Sequence, residues 1–167
     1  MSNDQKLLDQ FLSEKAMHEV NLWIEKYPND QKQSAVMSTL RIVQEEHGHL
    51  TPELMDAVAD YLEMPPIAVY EVASFYTMYE LKPTGKHLVN VCTNISCMLK
   101  NSHELVDYLQ KKLGIQLGET TMDGRFTLRA VECLGACIDA PMMQVDKEYH
   151  GNLNTPEVID KVLEQYE

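Results

Sequence analysis

The sequence has no long apolar stretch. No run approaches the roughly 18 consecutive apolar residues that a membrane-spanning helix needs, although 44% of the 167 residues are hydrophobic. The first residues, 1–6, also lack the apolar core of a secretory signal. These absences predict a globular, cytoplasmic protein that does not insert into a membrane.

Basic residues are scarce. The 14 Lys and Arg against 26 Asp and Glu give a formal net charge of −12. Nucleic acids and anionic membrane surfaces attract basic patches, so this balance argues against both as partners. A protein partner is compatible with the charge, and so is simple solubility.

Several functional motifs are missing as well. Gly114, Gly118 and Gly124 do not form a Gly-x-Gly-x-x-Gly fingerprint after a strand, so no dinucleotide or flavin site is predicted on this chain. The absence of Cys-x-x-Cys argues against a thioredoxin-type dithiol. No acid, base or nucleophile stands out, and no catalytic residue is predicted.

The first half of the chain has helical periodicity. Thr51 and Pro52 are typical of a helix start, and Gly48 is typical of the position just after a helix end. The predicted helices cover about 7–26, 34–47, 51–62 and 66–76.

The pattern changes in the turn-rich segment 81–86, where we expect a domain boundary between 1–82 and 83–167. Beyond it, strands are predicted over 88–91, 126–130 and 142–145. A helix begins at Ser102 and another at Thr155. A β-α-β unit with a parallel pair, followed by a short hairpin and a last helix, predicts an α/β fold of the thioredoxin-like type behind an all-helical N-terminal region.

All four cysteines lie in the second domain. They form two pairs, Cys92-x4-Cys97 and Cys133-x3-Cys137, and each pair follows a predicted strand. Loops at strand ends can bring ligands together without disrupting the sheet. A reducing cytoplasm disfavours structural disulfides. Four thiolates satisfy a [2Fe–2S] cluster, with two on each iron.

A structural zinc ion also accepts four thiolates, but such sites usually use Cys-x2-Cys pairs in small folds with little core. A Rieske centre needs two histidines, and Asn94 and Gly135 occupy the expected Cys-x-His positions. The loop positions argue against four unrelated buried cysteines. The residues favour an iron–sulfur cluster and leave structural zinc as the alternative.

Several runs of the sequence match a known family. They are VCTNISCML at 91–99, GETTMDGRFTL at 118–128, ECLGAC at 132–137 and APM at 140–142, with QSAV at 33–36, QEEHG at 44–48 and EVASFY at 71–76. With these runs the chain resembles the E subunit of bacterial NADH:quinone oxidoreductase, or complex I. That family combines a thioredoxin-like ferredoxin domain with N-terminal helices.

The resemblance implies a [2Fe–2S] cluster bound by Cys92, Cys97, Cys133 and Cys137. It implies electron transfer beside a flavoprotein subunit that binds FMN and NADH, within a peripheral arm at the inner face of the cell membrane. The same module resembles subunits of NAD-linked hydrogenases and formate dehydrogenases, so the host complex stays open. Asn101 stands where the family pattern leads us to expect glycine.

The charge of the chain also bears on the reduction potential. Reduction adds negative charge to a site of four thiolates in a protein already at −12. We therefore expect a low potential, nearer the plant-type value of about −400 mV than the Rieske range. Such a centre suits a side store of electrons beside the flavin.

Overall fold

The computed structural model describes residues 7–166. The chain divides into two compact units, Met1–Pro83 and Thr84–Glu167. Each unit has its own cluster of buried apolar side chains. Within the described residues, no helix has both the length and the apolar character needed to cross a membrane.

All the secondary-structure elements that the structure describes in the first unit are helices, in agreement with the prediction. Its core is formed by fully buried side chains from all four α-helices, including Val20, Leu40, Val58 and Val69. The α-helices are α1 Glu14–Ile24, α2 Val36–His47, α3 Pro52–Leu62 and α4 Pro66–Phe75, and short 3-10 helices cover Leu7–Gln10 and Lys32–Ala35.

Local capping explains where these helices begin and end. The Thr51 hydroxyl accepts a hydrogen bond from the N–H of Leu54 at 3.4 Å, and Gly48 ends α2 with a φ of +78°, as the sequence predicted. The sequence predicted a single helix over 7–26, but the structure has a 3-10 helix followed by the separate helix α1. The Ser13 hydroxyl accepts from the N–H of Ala16 at 3.2 Å, so α1 starts anew after the 3-10 turn.

The second unit combines a four-stranded sheet with helices. Its elements are β1 His87–Cys92, α5 Ile95–Met98, α6 Ser102–Leu113, β2 Phe126–Val131, β3 Met143–Val145, β4 Glu148–His150 and α7 Pro156–Leu163, with 3-10 helices at Cys137–Asp139 and Glu164–Tyr166. The strand order is β2-β1-β3-β4. β1 pairs with β2 in parallel, and β3 pairs antiparallel with both β1 and β4. The predicted parallel pair and hairpin are confirmed.

The register of the parallel pair positions the cysteine segments. Cys92 at the end of β1 lies opposite Val131 at the end of β2. The chain therefore leaves both strands at the same edge of the sheet. The segments that contain Cys97 and Cys133 begin side by side at that edge.

Asn101 explains how the chain turns from α5 into α6 without the expected glycine. Its φ is +63°, in the left-handed region. Asparagine tolerates this conformation better than most residues other than glycine. The substitution therefore preserves the turn.

Candidate metal centre

Cys92 and Cys97, called here the inner pair, are almost completely buried. Cys92 is the last residue of β1 and is 2% exposed, and Cys97 is 1% exposed. Cys97 lies in the one-turn helix α5 and not in the predicted loop. Both thiols pack with Ala140 and Met142. The main chain supports this packing, because the N–H of Cys92 donates to the carbonyl of Met142 at 3.2 Å.

Cys133 and Cys137, called here the outer pair, are both exposed. Cys133 lies in the loop after β2, and Cys137 begins a 3-10 helix. Their sulfur atoms are 3.7 Å apart. Two thiolates on one tetrahedral metal, with metal–sulfur bonds of about 2.3 Å, lie at nearly this separation. The outer pair is therefore spaced to share one metal ion.

Gly135 lies between the two outer cysteines. Its N–H donates to the sulfur of Cys133 at 3.4 Å, and its φ is +80°. A side chain at this backbone conformation would be strained. Glycine thus allows a backbone donor to face the thiol, and such donors stabilise thiolate charge and tune iron–sulfur centres.

The inner and outer pairs influence each other. Burial, a hydrogen bond with Cys92 and the charges of Cys92 and Cys137 together raise the pKa of the Cys97 thiol to about 11, while the backbone N–H of Met142 opposes the shift. A buried thiol of this kind stays protonated at neutral pH unless a metal ion replaces the proton.

The segments that carry the outer pair are anchored to β4 and the residues after it. The Tyr149 hydroxyl donates to the carbonyl of Leu134 at 2.9 Å, and the N–H of Asn152 donates to the carbonyl of Asp139 at 2.7 Å. A Cβ at Gly151 would lie 2.3 Å from the Cβ of Asp139, so only glycine permits this approach. The outer pair is exposed but held on a fixed backbone.

The donor set fits a cluster with two thiolates per iron. Among the described residues, no three His, Cys, Asp or Glu side chains are grouped as ligands of one metal ion. A [2Fe–2S] cluster needs two pairs of thiolates a short distance apart, and two such pairs lie at this edge of the sheet.

Comparisons with known proteins identify the family. Residues 20–167 match the family described as thioredoxin-like [2Fe-2S] ferredoxin. The chain belongs to this ferredoxin family. Membership confirms the predicted fold class and the predicted cofactor, so this ferredoxin carries a [2Fe–2S] cluster.

Curated relatives of this ferredoxin are similar along most of their length. The NADH-quinone oxidoreductase E 2 subunit of Rhizobium meliloti is 47% identical over 141 residues, which are 84% of this chain and 82% of the relative. The NADH-quinone oxidoreductase E subunit of Rickettsia felis is 43% identical over 144 residues, 86% of each chain. The resemblance to the E-subunit family is confirmed, and this ferredoxin belongs to that family.

A solved structure shows the same fold at lower identity. An NAD+-reducing [NiFe]-hydrogenase in the H2-reduced state aligns with a TM-score of 0.68 and 19% identity, over 78% of this ferredoxin. The alignment covers 22% of the hydrogenase chain, so this ferredoxin spans about a fifth of that chain's length. At this identity the likeness establishes the fold alone.

Sequence reasoning missed two features of the site. It did not distinguish the buried inner pair from the exposed outer pair, because both pairs follow strands. It also did not identify a contact in which the Asn94 side-chain amide donates to the Glu132 carboxylate. These residues are 38 positions apart, and only the parallel register of β1 and β2 brings them together.

Proposed function

We propose that this ferredoxin is the electron-transfer subunit of an NADH:quinone oxidoreductase and exchanges electrons with a flavoprotein subunit that binds NADH and FMN. Its cluster is held by Cys92, Cys97, Cys133 and Cys137. The observation that carries the proposal is the contrast in burial between the inner pair and the outer pair. An electron carrier needs a protected anchor for its centre and one side that a redox partner can approach.

The chain's own groups create the conditions for this role. When bound, a [2Fe–2S] cluster supplies a one-electron carrier. The inner pair binds from within a packed apolar layer, which excludes water from that side. The N–H groups of Gly135 and Met142 donate to cysteine sulfurs and stabilise their negative charge.

Exposed apolar side chains on the cysteine segments support docking of a protein partner. Ile138, next to Cys137, is 93% exposed, Leu99 is 74% exposed and Ile95 is 66% exposed. Exposed apolar groups close to a functional site are typical of protein interfaces. A partner that covers them would shield the outer pair from water. The net charge of −12 favours a partner whose rim is basic.

The relatives support one host complex over the others. The 47% identity with a relative named as the E 2 subunit of NADH-quinone oxidoreductase favours a place in the peripheral arm of such a complex, at the inner face of the cell membrane. The alternative hosts are an NAD-linked hydrogenase or a formate dehydrogenase. The hydrogenase likeness, at 19% identity, supports the fold and does not favour that host.

The test is the affinity of the full-length, cluster-loaded chain for the flavoprotein subunit of the same organism's NADH:quinone oxidoreductase. Ile138→Lys places a charge in the proposed interface, and we expect binding to weaken about thirtyfold, as for a hot-spot residue worth ~2 kcal/mol. Surface plasmon resonance under anaerobic conditions measures the change.

Met122→Lys is the matched control. Met122 is fully exposed and lies before the start of β2, at the opposite edge of the sheet from the cysteines. We expect this variant to bind as the unmodified chain does. Equal affinities for both variants, or no binding by the unmodified chain, would contradict the proposed partner.

A further inference from the structure

Asn94 makes two hydrogen bonds that connect the two cysteine segments. Its side-chain oxygen accepts from the N–H of Ile95 at 2.8 Å and so caps α5, the helix that contains Cys97. Its side-chain amide donates to the carboxylate of Glu132, the residue before Cys133. One side chain therefore contacts both the segment of the inner pair and the segment of the outer pair.

This contact continues the pairing of β1 with β2 beyond the strands. The N–H of Thr93 donates to the carbonyl of Val131 at 3.1 Å, and the Thr93 hydroxyl donates to the same carbonyl at 3.3 Å. The Asn94–Glu132 bond is the next connection along the two segments, and it is made by side chains. It comes just before the chain reaches Cys97 on one side and Cys133 on the other.

We propose that Asn94 and Glu132 are positioning residues that hold the two cysteine segments at the separation needed to share one cluster. A hydrogen bond to a carboxylate is stronger than a neutral one, which suits a contact at a partly exposed site. The Glu132 charge, one residue from Cys133, also opposes reduction of the cluster. The inference depends on the cluster and not on the flavoprotein partner. Failure of the inference therefore leaves the proposed partner testable, and failure of the proposed partner leaves the inference testable.

Three variants distinguish the effect of the Asn94–Glu132 hydrogen bond from the effect of charge at these two positions. Asn94→Ser keeps an oxygen that can cap α5 but is too short to reach Glu132. Asn94→Asp keeps the cap and places two carboxylates face to face. The double variant Asn94→Asp with Glu132→Gln reverses donor and acceptor and has the same net charge as the unmodified pair.

The measurement is the rate of iron release from the full-length, cluster-loaded chain to a chelator, followed by visible absorbance. Coupled residues in contact change stability measurably in double-mutant cycles. On this basis we expect release to be about fivefold faster in Asn94→Ser and about tenfold faster in Asn94→Asp. The double variant should return to within about threefold of the unmodified chain, because the bond re-forms in the opposite direction.

Gln110→Glu is the control for an added negative charge. Gln110 lies in α6, and its side chain bonds Gln116. It is eight residues along the helix, about 12 Å of helical rise from Ser102 and the cysteine edge. We expect this variant to release iron at the unmodified rate.

The reduced cluster gives a second readout by electron paramagnetic resonance. Asn94→Asp should lower the midpoint potential, the single change Glu132→Gln should raise it, and the double variant should restore the unmodified spectrum and potential. Release rates of Asn94→Ser and Asn94→Asp equal to that of the unmodified chain would overturn the inference. So would a double variant that loses iron as fast as Asn94→Asp.

Discussion

The inner and outer cysteine pairs supply the same donor atoms from opposite environments. Cys92 ends a strand, Cys97 lies in a one-turn helix, and both pack against Met142. Cys133 and Cys137 come from a loop and a short 3-10 helix, and both are exposed. The sequence intervals of the two pairs are nearly equal, so the difference arises from what packs over each segment.

This difference separates anchoring from access. Burial raises the pKa of the Cys97 thiol to about 11, and a buried thiolate is costly unless a metal ion neutralises it. A metal ion that replaces the Cys97 proton therefore removes the cost of burying that charge. The outer pair is exposed, so water reaches its sulfur atoms and the pair is open to a partner or an oxidant.

The largest expected effect is loss of the cluster when any ligand is removed. In the proposed ligand set each cysteine supplies one of four positions, so alanine at Cys92, Cys97, Cys133 or Cys137 should abolish the cluster or make it severely labile. Serine substitutions should have different effects in the inner pair and in the outer pair. Cys133→Ser and Cys137→Ser should retain a labile cluster because an exposed serine oxygen is solvated, whereas serine in the inner pair should not, because its hydroxyl would lie in an apolar layer. Iron content and visible spectra measure this.

A normal spectrum with full iron in any alanine variant would remove that residue from the ligand set. Equal behaviour of the four serine variants would contradict the distinction between the pairs.

The next effect concerns thiol reactivity in the folded, cluster-free chain. The thiolate is the reactive form, and a thiol with a pKa of about 11 is about 0.1% thiolate at pH 8. We expect iodoacetamide to label the outer pair at least about a hundredfold faster than Cys97, since burial also blocks access. Labelling of Cys97 should rise about tenfold per pH unit up to about pH 11. Peptide mass spectrometry would measure both rates, and equal labelling of the two pairs would contradict the comparison.

A smaller effect is expected from removing the helical unit. A chain beginning at Leu81 contains all four cysteines and the core of the second unit, so it should still assemble its cluster. It should bind the flavoprotein subunit about tenfold more weakly, because the helical unit exposes Ile67 and Phe75 at 75% each and such groups are typical of interfaces. Unchanged affinity would show that the helices do not contribute to docking.

The smallest effect is a shift in the reduction potential when the outer pair is covered. We expect the isolated chain to have a midpoint near about −400 mV, because four thiolates lie in a protein of charge −12. Docking of a basic partner rim should raise it by tens of millivolts, about 1 kcal/mol for one electron. Redox titration monitored by electron paramagnetic resonance measures both values. A midpoint above about −150 mV would contradict the low-potential prediction and the side store inferred from it.

Long, regular features of the fold could be predicted from the sequence. Thr51, Pro52 and Gly48 identify helix ends through backbone chemistry that is local, and the strands around Val89 and Leu128 carry a clear apolar pattern. Short elements were missed: α5 has four residues, too few for periodicity, and Ser13 interrupts a run whose apolar spacing continues through it.

The four candidate ligands could be proposed from the sequence because cysteine spacing is itself local information. The contrast in burial between the two pairs could not be predicted from the sequence. It depends on Ala140 and Met142, which follow Cys137 in the chain and pack back over the inner pair. The Asn94–Glu132 contact depends on the register of two parallel strands. Such contacts between distant residues have no signature in a single sequence.

Chemical analysis of the anaerobically purified, full-length chain tests the central claim most directly. The account predicts two irons and two acid-labile sulfides per chain, with a visible spectrum that disappears in Cys97→Ala and in Cys137→Ala, one cysteine from each pair. One zinc ion per natively expressed chain, without iron or sulfide, would contradict it.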